Sequence, residues 1–272
     1  MDKNGNSYVV FFAVAICAVC AVALASTFST FREGIESNEL FDQQKNVLIA
    51  TGLHSKDQVR PDKELRDVYA KSIRAKVLEV ERGTVEVPVK RTGVETVDKV
   101  EQVVAMKETD HKVEDLASLQ RAESKKKDPK QRREYVPIYQ RVDDSGNTVA
   151  WCIPISGYGL WSTLYGFLAL EPDLATVKGI TFYKHAETPG LGGEVDNLDW
   201  QRQWPGKKVL DARGQVLGVA LKKGKVDTAI AAEREHMVDG LSGATITSNG
   251  VTKFVKADLE RYEPYFKTKR TN

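Results

Sequence analysis

The stretch Asp239-Gly240-Leu241-Ser242-Gly243-Ala244-Thr245-Ile246-Thr247 places hydroxyl and carboxylate side chains around two glycines. Directly after it, Val251, Phe254, Val255, Leu259 and Tyr262 recur at helical spacing. That spacing predicts an amphipathic helix, with Ser248 or Asn249 as its cap. A hydroxyl-rich turn at a helix N-terminus suits a phosphate, because unbonded N–H groups and the helix dipole both favour an anion. A second segment, residues 185–194, carries three glycines that let backbone approach a ligand closely. In it, Glu187 and Thr188 are suited to hydrogen-bond a polar ring edge, although Pro189-Gly190 alone also reads as a surface turn. A third segment, residues 156–166, mixes glycines with Tyr158, Trp161 and Tyr165 at a strand entrance. Such a surface can hold a flat apolar ring, and the same aromatics can pack a core, the favoured reading for Tyr165.

Other chemistries lack their residues. Ser242-Gly243 has no G-x-S-x-G elbow, and no P-loop or dinucleotide fingerprint follows a strand. Asp239 and Ser242 with a distant histidine do not make a triad. His185 reads as a structural histidine, and no second histidine, cysteine or acid cluster stands at metal spacing, so no metal is expected. Cys17 and Cys20 form a C-x-x-C inside an apolar run, where packing is the expected role, and Cys152 is left alone, which excludes a disulfide framework. The 272 residues carry a net charge of only +2, which gives no whole-chain field for nucleic acid.

The elements that must position these segments follow from patterning. Residues 8–25 are almost wholly apolar, and with residues 26–31 they are long enough to cross a bilayer. We read an uncleaved anchor at 8–31 behind a short cytoplasmic tail at 1–7. A cleaved signal peptide ending near Ala23-Leu24-Ala25 is the alternative. Residues 33–54 predict a helix stopped by Gly52, and residues 56–82 a second periodic stretch. Residues 83–97 alternate as a strand does. Residues 98–134 are charge-rich and end in a basic run at 125–133, read as a solvated loop rather than a lipid or partner contact. From 135 onward, strands are expected at 135–142, 148–155, 161–170, 177–184 and 215–221, with a turn at 143–147. Runs of strands closed by a helix argue for an α+β fold, an antiparallel sheet flanked by helices, behind one N-terminal transmembrane helix.

The pattern S-G-A-T-x-T resembles the flavinylation motif of the FMN-binding domain family. Together with residues 157–170, 185–194, 239–250 and the Gln44-Lys45-Asn46-Val47-Leu48 run, it is similar to the C subunits of sodium-translocating NADH:quinone oxidoreductases. The resemblance covers roughly residues 8–54 and 135–262, which leaves 56–134 as an expansion within 32–134 and 135–272 as the FMN-binding domain. The resemblance implies one covalent FMN, esterified to Thr247 by a separate flavin transferase, with Ser242, Gly243, Ala244 and Thr245 shaping the turn. It puts Leu160, Trp161, Glu187, Thr188 and Leu191 against the flavin, and Lys223 near it, where a lysine favours an anionic reduced ring. It also implies an inner-membrane protein with its large domain in the periplasm and with the B, D and E subunits among its partners. Such a protein relays electrons from an intramembrane iron–sulfur centre to the flavin of the B subunit while the complex oxidises NADH, reduces quinone and exports sodium. The G subunit of the related Rnf ferredoxin:NAD oxidoreductase shares S-G-A-T-x-T and E-T-P-G-L-G, and residues 160–166 favour the quinone-reductase family. An anchored flavin-binding sensor or assembly protein, and an exported structural domain, are the readings from other classes.

Overall fold

With no proline before Pro61, the apolar run and the charged stretch behind it form one helix, α1 (Asn6–Ala50), in the computed structural model, which describes residues 6–91, 94–128 and 131–270. Residues 1–5 of the expected tail, Thr92 and Gly93 of the expected 83–97 strand, and Pro129 and Lys130 of the basic run lie outside the described residues. The sequence predicted an anchor and then a separate helix. Their fusion has a simple cause: Gly34 is the only breaker between them, and one glycine costs about 1 kcal/mol in a helix. Val9, Phe11, Val19, Leu24 and Phe28 are all exposed, so the first part of α1 is apolar all round, and the helix is long and apolar enough to cross a membrane.

The chain divides into two units, residues 1–43 and 44–272. In the second, the end of α1 is buried through Asn46, Val47, Leu48 and Ala50, and Gly52, at φ 78°, closes the helix. Then come α2 (Asp62–Ser72), β1 (Ile73–Arg91), β2 (Val94–Thr109), α3 (Leu116–Ser124), β3 (Glu134–Val142), β4 (Thr148–Tyr158), β5 (Thr163–Leu170) and β6 (Val177–Lys184). The remaining elements are α4 (Leu198–Gln201), β7 (Ala220–Lys222), α5 (Ala231–Arg234), β8 (Met237–Asp239) and α6 (Thr245–Arg270). Six strands form one antiparallel sheet in the order β2-β1-β3-β4-β5-β6, and β7 pairs parallel with β8. This is the α+β architecture that the strand runs predict.

Three local expectations differ. The helical periodicity of 56–82 stops at Ser72, because Ile73, Val77, Leu78 and Val80 are buried and join the sheet beside β3. The charge-rich 98–134 holds most of β2 and all of α3. Met106 is buried there, and charges pair across the hairpin, as in Lys107–Glu81 at 3.0 Å. Of residues 215–221, only the last two are strand, and β8, which was not expected, supplies the partner.

The core lies where α6 crosses the sheet. Val251, Phe254, Val255, Leu259 and Tyr262 are buried against Ile153, Ile155, Leu164 and Phe182, so the predicted apolar stripe is the helix face that packs. The start of α6 lies hard against the end of β4: a Cβ at Gly250 would sit 2.2 Å from the Tyr158 carbonyl oxygen. Only glycine permits that approach, and it sets Thr247 beside the β4–β5 turn.

Candidate functional site

Helix α6 begins at Thr245, earlier than a Ser248 or Asn249 cap would place it, so Thr247 lies within its first turn. Ser248 still contributes to the start, because its Oγ accepts the Leu241 N–H at 3.0 Å and holds the preceding loop. Thr247 is 1% exposed, and its hydroxyl donates to Glu187 Oε2 at 2.7 Å. Glu187 is itself buried. Its Oε1 accepts the N–H groups of Trp161 at 2.9 Å, Ser162 at 3.1 Å and Leu160 at 3.2 Å, and the Ser162 hydroxyl at 3.4 Å. One carboxylate thereby joins the β4–β5 turn to the first turn of α6.

Burial works against the charge on Glu187. Donation from Thr247 and from the backbone of Trp161, Leu160 and Ser162 outweighs it, and the carboxyl is held below its ordinary range. The donors holding it are neutral N–H and O–H groups, so its negative charge is stabilised without being cancelled. Close packing leaves no slack: a Cβ at Gly192 would lie 2.6 Å from Glu187 Oε2 and 2.8 Å from Thr247 Oγ1.

Around this buried pair, large apolar side chains stand exposed: Tyr158 at 79%, Trp161 at 71%, Ile246 at 58%, and also Leu160 and Leu191. Trp161 is therefore a surface residue, and Tyr165, expected in the core, is 39% exposed. Leu191 reaches the S-G-A-T loop, since a Cβ at Gly243 would sit 2.8 Å from its Cδ2. On another side of the loop, a cleft of about 790 Å³ is lined by Lys223, Lys225, Ser242, Gly243, Thr245 and Ser248, among others. A hydroxyl on a helix first turn, apolar surfaces suited to a flat ring, and a cleft with lysines are the complementary parts for a phosphorylated aromatic cofactor.

Most of the sequence-predicted residues fall into two groups. Thr247, Glu187, Leu160 and Trp161 are joined by hydrogen bonds through Glu187. Ser242, Gly243, Thr245 and Lys223 line the cleft, and Ala244 is buried beneath the turn. Thr188 enters through its backbone, its carbonyl accepting from Leu191 N at 3.1 Å and Gly193 N at 3.0 Å. His185 is tied at both ring nitrogens, Nε2 to Asp196 at 2.8 Å and Nδ1 accepting from Glu187 N at 3.2 Å. Asp239, the first residue of the motif, is an anchor: its Oδ1 accepts from Val226 N at 2.7 Å and its carbonyl from Trp200 Nε1 at 2.8 Å. Ser162 was missed. It bonds Glu187 and accepts from Ala186 N at 2.8 Å, and its only signal in the sequence is its place next to Trp161.

A family profile described as the FMN-binding domain matches residues 159–260, which include Glu187 and Thr247. The C subunit of the Na(+)-translocating NADH-quinone reductase of Pseudomonas aeruginosa is 41% identical over 214 residues, which cover 79% of this chain and 76% of that protein. The corresponding C subunit of Haemophilus ducreyi is 37% identical over 216 residues, covering 79% and 74%. The crystal structure of Shewanella oneidensis NqrC aligns with a TM-score of 0.61 at 28% identity, over 88% of this chain and 100% of that one.

Proposed function

Because the chain belongs to the family of C subunits of the Na(+)-translocating NADH-quinone reductase, we propose that it is the membrane-anchored carrier of one FMN, esterified to Thr247. The observation that carries this is the Thr247 hydroxyl, set in the first turn of α6 and surrounded by exposed apolar side chains. Bound there, FMN supplies one-electron chemistry. The protein does the rest. Ser242, Gly243, Ala244 and Thr245 shape the turn that receives a phosphate, and the N-terminus of α6 stabilises its charge. Leu160, Trp161 and Leu191 offer apolar faces to a ring, Glu187 and Thr188 fix the turns that present them, and Lys223 adds positive charge on the cleft side.

In this reading residues 8–31 span the inner membrane, with residues 1–7 cytoplasmic and the large domain periplasmic. Residues 135–272 make the flavin domain, with 56–134 an expansion. The chain relays electrons between an intramembrane iron–sulfur centre and the flavin of the B subunit, in contact with the B, D and E subunits, after loading by a flavin transferase. A phosphoester keeps the cofactor where a dissociable one would diffuse away.

Purification of the tagged chain from its native membranes tests the assignment. The expected result is co-purification with the other quinone-reductase subunits and flavin fluorescence that survives denaturation. Recovery with an Rnf set, or of the chain alone, would contradict it.

A further inference from the structure

We propose that Glu187 is the proton acceptor for the attachment reaction, so that this chain brings its own base to the transferase. The inference rests on the attachment at Thr247 proposed above. It starts from geometry: the nucleophile and the carboxylate are 2.7 Å apart, within general-base distance. The base is oriented in turn by the amides of Leu160, Trp161 and Ser162. That is the arrangement of nucleophile, base and orienting group expected of an activated hydroxyl. A threonine hydroxyl is otherwise a poor nucleophile at neutral pH. Held below its ordinary range, the Glu187 carboxyl is ionised there; the same donation makes it a weak base, so its contribution comes from its position against the hydroxyl.

The step balances without oxidant or reductant. The phosphate of free FMN has no good leaving group, so the donor is a flavin dinucleotide, in which that phosphate is part of an anhydride. Thr247 Oγ1 forms a bond to the flavin-side phosphorus as the anhydride P–O bond breaks. The adenosine monophosphate leaves with that electron pair, and the hydroxyl proton passes to Glu187. Thr247 is buried with Gly192 packed close to its hydroxyl, so transfer requires the loop at Gly192 to lift. The base does not lift with it, because its anchors belong to the β4–β5 turn. Esterification removes the only hydrogen the Thr247 side chain can donate, so this contact belongs to the unloaded protein.

The test is the single-turnover rate of flavin mass gain by the full-length chain in detergent, with a flavin transferase and flavin adenine dinucleotide, at several chain concentrations. Glu187→Gln keeps an acceptor for the amides but cannot take the proton. It is expected to slow transfer about 100-fold or more at saturation, with the half-saturating concentration unchanged, and Glu187→Asp is expected to fall between. A saturating rate equal to or above wild type, or a loss confined to the half-saturating concentration, would overturn the proposal and leave Glu187 a structural tie. Should Glu187→Gln melt below the assay temperature, Glu187→Asp decides alone: a reduced saturating rate supports the base, and a wild-type rate overturns it. Wild-type chain that gains no flavin at Thr247 would instead sink the attachment itself.

Discussion

Glu187 and Glu108 are both carboxylates held in the charged form by hydrogen bonds, and they keep opposite company. Glu108, at the end of β2, has Lys76 at 2.7 Å, Lys269 at 3.0 Å and the Tyr265 hydroxyl at 2.7 Å. Burial opposes its charge, the donation from Lys76, Tyr265 and Lys269 prevails, and its carboxyl falls to about 2. Two cations there cancel the charge, and the cluster ties the β1–β2 hairpin to α6. Glu187 has backbone amides and hydroxyls instead, so its charge stays available beside a nucleophile. Both sets of donors lower the carboxyl's affinity for a proton, and what separates the two is the neighbour each serves: a fastening between strands and helix at Glu108, and the Thr247 hydroxyl, 2.7 Å away, at Glu187.

The largest break in that comparison is Thr247→Ala, which is expected to abolish covalent flavin entirely, read as loss of fluorescence in the denatured chain. Because this hydroxyl is buried and bonded to a carboxylate, the substitution also costs about 1–3 kcal/mol of stability, more than an exposed threonine would. Gly192→Ala comes next. Its methyl would enter between Glu187 and Thr247, costing about 1–3 kcal/mol by overpacking and slowing attachment, as mass gain over time would show. At the other corner, Glu108→Gln should leave attachment untouched. Glu108 has a depressed folded-state pKa, so its stabilisation is present above the ordinary 4.5 and is lost as pH falls from there toward 2. The variant should therefore melt earlier than wild type near neutral pH and converge with it in acid.

An effect of the opposite sign belongs to Asp258, whose Oδ2 accepts the Ser156 N–H at 2.9 Å. Burial, only partly opposed by that N–H, raises its carboxyl from 3.8 to about 7. A raised acid pKa means that stability declines as pH climbs from about 4 to 7. Asp258→Asn should raise the melting temperature at pH 8 and change little near pH 4.

What was legible in the sequence follows from how local its cause is. The stripe of α6 and the stop at Gly52 are written in neighbouring residues, and both appear where periodicity and conformational preference put them. The turn before β4 is equally local, since Asp143 Oδ1 accepts from Ser145 N at 2.9 Å and Asn147 N at 2.8 Å. The β1–β2 hairpin was hidden because its apolar residues are interleaved with charges that find cross-strand partners only after pairing. The Glu187–Thr247 contact was hidden for a different reason. The two residues stand 60 positions apart, and only the approach of α6 to the end of β4 brings them together. Spacing marked each as a candidate, but it could not show that the carboxylate faces the hydroxyl.

The most direct test of the central claim is the mass of the full-length chain, co-expressed with a flavin transferase, denatured and digested. The account predicts one added FMN less water, on the peptide that contains Thr247, and none in Thr247→Ala. An unmodified peptide, with a known flavinylated protein modified in parallel, would contradict it.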